Sequence, residues 1–106
     1  MIAELNTERF EELLRGEKSL LVEYHAPWCG YCRRLEPAFI RVAGEYEDLV
    51  TAVKIDIDKE PALAEREHIE VVPTLVLYRG GKSVSATVAP GSAGELRRFL
   101  DEALAR

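Results

Sequence analysis

Two cysteines separated by two residues are the side chains best suited to covalent chemistry, in the segment Cys29-Gly30-Tyr31-Cys32. In the first turn of a helix, cysteines at positions i and i+3 lie close enough to form a disulfide. The N–H groups at such a terminus stabilise an anion by about 0.3–2 kcal/mol, which lowers the pKa of a thiol from about 8.5 by about one unit. An attacking thiol works best when its pKa is near the ambient pH. We therefore expect Cys29 to be the nucleophile and Cys32 the resolving thiol.

The residues alone leave three other uses of the cysteine pair open. A structural disulfide is one, although a reducing cytosol disfavours it. A zinc site is another; it needs about four ligands, and the obvious further candidates are His25 and His68, of which we expect His68 on a helix surface. Two unrelated buried thiols are the third alternative, but Gly30 and Trp28 fit an exposed turn better.

The composition is typical of one globular domain. The chain has 106 residues, of which 47% are hydrophobic and 31% are charged. A chain of this length can fold around one core without metal or disulfide staples, so we expect a single domain over residues 1–106. The formal net charge of −5 argues against non-specific binding to nucleic acid. No apolar run approaches the roughly 20 residues that span a bilayer.

The beginning of the sequence does not resemble an export signal. Residues 1–14 include four acidic side chains and one arginine, whereas a secretory signal begins basic and continues with an apolar stretch. We therefore expect a cytoplasmic protein, with neither a nucleic-acid partner nor a membrane partner.

Hydrophobic periodicity predicts the elements that position the cysteines. A first helix begins at Asn6 or Thr7 and ends at Gly16, and a strand buried on both sides covers residues 20–24. A long amphipathic helix follows the cysteines and should be kinked at Pro37. Its apolar side chains recur at helical spacing: Leu35, Ala38, Phe39, Val42, Ala43 and Tyr46.

The second half of the chain predicts a strand, a helix, a hairpin and a last helix. In order, these are the strand 51–57, the helix 61–67, the strand 74–78, the turn 79–82, the strand 84–88 and a helix that begins with a capping box of Ser92 and Glu95. Strands separated by helices are typical of parallel neighbours. We expect an α/β fold with a central, mixed and mostly parallel sheet, a C-terminal hairpin and about four flanking helices.

Three separated motifs resemble the thioredoxin family. They are the segment 23–32 (EYHAPWCGYC), Pro37 in the following helix, and the segment 71–74 (VVPT), which resembles the family's cis-proline loop. The resemblance extends from about residue 2 to residue 104. It implies a thioredoxin fold and a thiol–disulfide oxidoreductase that reduces protein disulfides. It also implies no resident cofactor, a reductase of the thioredoxin-reductase type as electron donor, and a monomer.

The resemblance also implies roles for residues around the cysteine pair. Glu23, in an apolar strand, should have a raised pKa and accept the proton of Cys32. Lys54 matches the lysine that accompanies this acid, and Pro73 matches the cis-proline, whose preceding residue, Val72, would pair with the substrate backbone. The residues expected to contact substrate are Trp28, Gly30, Tyr31, Val72, Pro73 and Ala89.

Two positions depart from the family pattern. Thioredoxins typically have proline at the position of Tyr31, and disulfide isomerases have histidine, which can stabilise a thiolate by its charge. Tyrosine carries no such charge, although its hydroxyl can form a local hydrogen bond. Ala89 takes the place of a glycine in the loop beside the disulfide, which affects the local substrate groove.

The sequence is also compatible with other functions found among proteins of this fold. Glu23 and the Ala-Pro-Trp segment before Cys29 give some support to an oxidase or isomerase of the protein disulfide isomerase type. A non-enzymatic binding module with unreactive cysteines is a different class. Some glutaredoxins also have Cys-Gly-Tyr-Cys and bridge an iron–sulfur cluster between two subunits, but Trp28 and Glu23 favour a thioredoxin.

Overall fold

Five strands form one mixed sheet, and its central strand leads directly into the cysteine segment. A computed structural model describes residues 2–106. The elements in chain order are β1 (Ala3–Glu4), α1 (Thr7–Leu14), β2 (Ser19–His25), α2 (Gly30–Glu45), β3 (Val50–Asp56), α3 (Pro61–Arg66), β4 (Thr74–Arg79), β5 (Lys82–Val88) and α4 (Ala93–Leu104). The strand order is β1-β3-β2-β4-β5; β1–β3 and β3–β2 are parallel, and β2–β4 and β4–β5 are antiparallel. The predicted α/β architecture is confirmed.

The sheet is buried on both faces because β2 alternates its side chains between two cores. Leu21 packs with Phe39 of α2 and Leu100 of α4 on one face. Val22 packs on the opposite face with Phe10 of α1. The predicted strand buried on both sides is therefore confirmed, and it leads directly into the cysteine segment. Among residues 2–106, no helix has the length and hydrophobicity needed to cross a membrane.

Strand β1 is an element that the sequence analysis missed. It consists of two residues, which are too few to show the alternation that identifies a strand. Ala3 and Glu4 pair in parallel with Val53 and Lys54 of β3. The N–H of Leu5 continues this pairing by donating to the carbonyl of Lys54 at 2.8 Å. The edge of the sheet is thus one strand further from the centre than predicted.

The prediction for His68 was wrong, because α3 ends at Arg66 and His68 lies beyond it. His68 has a φ of +60°, and its N–H donates to the carbonyl of Glu65 at 3.1 Å. The N–H of Ile69 donates to the carbonyl of Ala64 at 2.9 Å. These two bonds form a Schellman cap, which turns the chain so that Ile69 packs against the core.

The helix starts follow the predicted caps with one difference. The side chain of Asn6 accepts the N–H of Arg9 at 2.9 Å, which caps α1. The hydroxyl of Ser92 accepts the N–H of Glu95 at 3.1 Å, which caps α4. The Glu95 carboxylate accepts the N–H of Gly91 at 2.9 Å, one residue before the position that a capping box predicts.

Candidate active site

The cysteine pair lies between the end of the central strand and the start of the longest helix. β2 ends at His25, and α2 begins at Gly30 with Cys29 as its N-cap. The N–H of Cys29 donates to the carbonyl of Ala26 at 3.1 Å, which closes the turn between the two elements. Cys29 and Cys32 form a disulfide with a Cα–Cα distance of 5.3 Å. Both cysteines are present in the oxidised state.

The sulfur of Cys29 accepts a helix N–H group. The N–H of Cys32 donates to Sγ of Cys29 at 3.1 Å, so the sulfur occupies the place where a capping oxygen usually lies. Aligned peptide dipoles make this end of α2 positive, which favours negative charge on the Cys29 sulfur. Cys29 is only 6% exposed and Cys32 only 5%, so little of either residue is open to solvent in the oxidised protein.

The loop before β4 closes over the disulfide from the other side. The peptide bond between Val72 and Pro73 is cis. The carbonyl oxygen of Val72 lies 3.8 Å from Sγ of Cys29, and the Val72 side chain packs against the cysteines. A backbone acceptor therefore stands beside the sulfur that a substrate would contact.

Apolar side chains lie exposed around the disulfide. Trp28, directly before Cys29, is 66% exposed, and its indole N–H donates to the carboxylate of Asp58 at 3.0 Å. Val71 beside the cis-proline loop is also exposed, as is Val88 at the end of β5. Asp58, which holds the Trp28 ring, was not identified from the sequence, because nothing near it in the chain marks it as a partner.

The two positions that depart from the family pattern contact each other. The hydroxyl of Tyr31 lies 3.1 Å from the carbonyl oxygens of both Ala89 and Pro90. Ala89 has a φ of +46°, in the left-handed region that favours glycine, and its N–H donates to the carbonyl of Pro73 at 2.8 Å. The guanidinium of Arg34 lies 5.4 Å from the centre of the Tyr31 ring. Tyr31 thus links the helix start to the loop after β5.

Glu23 is buried in the central strand, with 1% of its surface exposed. The pKa of Glu23 is raised to about 7, mainly because the carboxyl is buried and secondly because Glu36 repels it; attraction to Lys54 acts in the opposite direction. Its Oε2 atom has no hydrogen-bond partner within residues 2–106. The predicted acid therefore has the environment of a group that exchanges a proton near neutral pH.

Lys54 lies beside Glu23 but bonds to a different acid. The two residues are register partners on β3 and β2. The ammonium of Lys54 donates to Oε2 of Glu36 at 2.8 Å. Glu36 was missed in the sequence, although its position four residues after Cys32 places both on one side of a helix. A cavity of about 220 Å³ has Glu23, Cys32, Glu36 and Lys54 among its lining residues.

The two histidines differ in their position: His25 lines the same cavity as Cys32, and His68 does not. Nε2 of His25 lies 3.2 Å from Oε1 of Glu4, an ion-pair distance when the imidazole is protonated. Exposed His68 caps α3. Across the described range 2–106, no group of three or more His, Cys, Asp or Glu side chains is arranged to hold a metal ion.

Comparisons with known proteins agree with this geometry. The sequence model of the family described as Thioredoxin matches residues 1–102. Thioredoxin 1 of Nostoc sp. is 33% identical over 94 residues, which cover 89% of this chain and 88% of that protein. The thioredoxin of Alicyclobacillus acidocaldarius is 31% identical over 100 residues, which cover 94% and 95% of the two chains.

Two further matches concern a fused protein and a solved structure. The bifunctional thioredoxin reductase/thioredoxin of Mycobacterium leprae is 34% identical over 93 residues, and this chain spans 20% of its length. The crystal structure of oxidised mitochondrial thioredoxin 3 from Saccharomyces cerevisiae superposes with a TM-score of 0.83 at 27% identity. That match covers 94% of each chain.

The mixed sheet and the disulfide at a helix N-terminus define a thiol–disulfide oxidoreductase. The chain belongs to the thioredoxin family. Its activity is that of a protein-disulfide reductase, as the sequence predicted.

The buried acid makes stability depend on pH in a defined direction. The pKa of Glu23 rises from an ordinary value of 4.5 to about 7 in the folded protein, so between these values the folded state binds more protons than the unfolded state. Its contribution to stability is therefore complete at low pH and is lost as the pH rises through 7. The loss amounts to about 3 kcal/mol, at about 1.4 kcal/mol per pKa unit.

We expect Glu23→Gln to abolish this loss, because glutamine cannot ionise. The free energy of unfolding of the oxidised protein, measured in urea from pH 4 to pH 9, should fall less steeply in the variant by about 3 kcal/mol. Other titrating groups are the same in both proteins and cancel in the difference. Parallel curves for the two proteins would show that Glu23 ionises without cost.

Proposed function

We propose that the protein is a reductant of protein disulfides, with Cys29 as the attacking group. The observation that carries this proposal is the N–H of Cys32 directed at the Cys29 sulfur at 3.1 Å. A thiolate at this position is stabilised before any substrate arrives. The N–H group and the helix dipole that stabilise it need little rearrangement when the sulfur reacts.

The proposed reaction has two exchange steps. The Cys29 thiolate attacks one sulfur of a substrate disulfide, forms a mixed disulfide and releases the other substrate sulfur as a thiolate. Cys32 then gives its proton to Glu23 and attacks the Cys29 sulfur. This step forms the Cys29–Cys32 disulfide and releases the second substrate thiolate. Two electrons pass from the protein dithiol to the substrate, and the protein is left as the disulfide.

We also propose that the substrate backbone lies along the loop before Pro73. The carbonyl oxygen of Val72 lies 3.8 Å from the Cys29 sulfur. An extended substrate chain bound at this sulfur could donate a backbone N–H to it. An added Cβ at Gly30 would make only ordinary contact with Arg34, at 3.4 Å, so the chain itself does not require glycine there. The residues assigned to substrate contact are Trp28, Gly30, Tyr31, Val72, Pro73 and Ala89.

A reducing role is favoured over an oxidising role by the residues between the cysteines. Strong disulfide oxidants owe their potential to a stabilised reduced form. Tyr31 carries no positive charge, and its hydroxyl lies within bonding distance of two carbonyl oxygens rather than of a cysteine sulfur. Tyr31 therefore adds no charge to the stabilisation that the helix start gives the thiolate, which supports a modest stabilisation and a reducing couple.

The electron donor we propose is a reductase of the thioredoxin-reductase type. The Mycobacterium leprae relative carries both names in one chain, which supports such a pairing for this protein. We further propose a single-domain monomer over residues 1–106 that works in the cytoplasm, where reductants keep thiols reduced. Its net charge of −5 supports the absence of a nucleic-acid partner.

Serine substitutions of the two cysteines separate the steps. We expect Cys29→Ser to abolish catalysis of insulin reduction by dithiothreitol and leave only the uncatalysed rate, because no nucleophile remains at the helix start. Cys32→Ser should still attack but should accumulate a mixed disulfide with a protein substrate, detected by mass spectrometry under non-reducing conditions. Turnover by Cys29→Ser, or accumulation of the mixed disulfide on Cys32 in that variant, would reverse the assigned roles.

Removal of the Tyr31 hydroxyl tests the proposed substrate groove. Tyr31→Phe loses one hydrogen bond worth about 0.5–1.5 kcal/mol, so the loop of Ala89 and Pro90 is held less firmly. If that loop contacts substrate, KM for a protein disulfide should rise by about 2–10-fold while kcat changes little.

A matched control exists at the far end of α2. Tyr46→Phe loses a hydroxyl bond to Asp101 of 2.6 Å, away from the disulfide. This variant should lose stability but keep the KM of the unaltered protein. The same KM in Tyr31→Phe as in Tyr46→Phe would remove Tyr31 and Ala89 from the substrate groove.

A further inference from the structure

The buried acid of the central strand lacks the ion pair that its neighbour could provide. Lys54 is the register partner of Glu23 on the adjacent strand. Its ammonium instead donates to Oε2 of Glu36 on α2, at 2.8 Å. The Glu36 side chain is 32% exposed and that of Lys54 is 19% exposed, so this pair lies at the rim of the cavity and Glu23 lies at its base.

Because Lys54 pairs with Glu36, the Glu23 carboxyl group is left without a charged partner among residues 2–106. Its Oε2 atom is buried and has no hydrogen-bond partner in the described part of the chain. It shares the cavity of about 220 Å³ with Cys32, the thiol that must lose a proton in the second step. An unpaired carboxylate at such a depth is costly, so the group favours taking up a proton.

We propose that Glu36 is a positioning residue for the resolving step, because it holds the Lys54 ammonium and leaves Glu23 free to accept a proton. This inference rests on the proposed function, in which Glu23 takes the proton of Cys32. Glu36 and Lys54 together are neutral. Ionised Glu23 is then the uncompensated charge of the trio, and protonation removes it.

The arrangement matches the basicity of Glu23 to its task. A general base is most effective when its pKa lies near the working pH. Burial and the Glu36 carboxylate raise the pKa of Glu23 to about 7. A direct ion pair with Lys54 would favour the ionised form and make Glu23 a weaker base towards the Cys32 thiol.

Few other charged groups lie close enough to Glu23 to change its proton affinity. β4 places Leu75, which carries no charge, opposite Glu23. The titratable and charged groups that share the cavity with Glu23 are His25, Cys32, Arg33, Glu36 and Lys54. Arg33 also donates to the carbonyl of Pro27 at 2.7 Å. Nε2 of His25 lies 3.2 Å from Oε1 of Glu4 but has no hydrogen-bond partner in the described part of the chain.

The test is a double-mutant cycle on the titration of Glu23 in the oxidised protein, where the cysteines do not titrate. The Glu23 carboxyl is followed by carbon NMR in the unaltered protein, Glu36→Gln, Lys54→Met and the double variant. We expect Glu36→Gln to lower the midpoint by at least about one pH unit, a tenfold loss of proton affinity. In the Lys54→Met background the same substitution should lower it by less than half as much.

Two results would overturn the inference. One is an unchanged midpoint in Glu36→Gln. The other is an equal fall with and without Lys54, which would mean that Glu36 acts only by its direct repulsion of Glu23 and not by holding Lys54. Glu47→Gln, which removes the same charge from an exposed position after α2, is the matched control and should leave the midpoint unchanged.

A kinetic arm separates this inference from the proposed function. The release of substrate from the mixed disulfide is followed by rapid mixing across pH. In Glu36→Gln the pH dependence of this step should move in the same direction as the midpoint. If Glu23→Gln resolves the mixed disulfide at the rate of the unaltered protein, the proton-acceptor role of Glu23 fails. In that case the double-mutant cycle still shows whether the effect of Glu36 on the titration of Glu23 depends on Lys54.

Discussion

The side-chain atom that caps the N-terminus of α2 is a sulfur, where most helices have an oxygen, and the rest of the site depends on this contact. Sγ of Cys29 accepts the N–H of Cys32 at 3.1 Å, so one contact joins the two cysteines, the helix start and its dipole. The central strand β2 fixes where this helix can begin, because it is buried on both faces and ends four residues before Cys29. The chemistry is therefore placed by a central strand that packs into the core on both faces.

The same strand also contains the residue of the site that lowers the stability of the fold. Glu23 is placed in the middle of the sheet, between Lys54 of β3 and Leu75 of β4, where an apolar residue would be more stable. The structure does not offset this cost with an ion pair to Glu23; it pairs Lys54 with Glu36 instead. Stability is given up at neutral pH, and a base of suitable strength is gained beside the resolving thiol.

Local patterns in the sequence predicted most of the architecture, because long periodic elements and caps are local properties. The strand before Cys29, the helix after Cys32 and the hairpin all followed from periodicity and turn residues. The two-residue β1 and the cap at His68 did not, because neither has a local signature. Contacts made by folding were also out of reach: Tyr31 meets Ala89 across 58 residues, and Lys54 meets Glu36 across 18.

The central claim is that the Cys29–Cys32 pair is a reducing couple, and an equilibrium titration against glutathione or dithiothreitol mixtures tests it most directly. We expect a reversible two-electron couple close to the thioredoxin value of about −270 mV. A potential of about −180 mV or higher, in the range of disulfide isomerases and oxidants, would contradict the reducing role. The absence of any reversible couple would contradict the redox function itself.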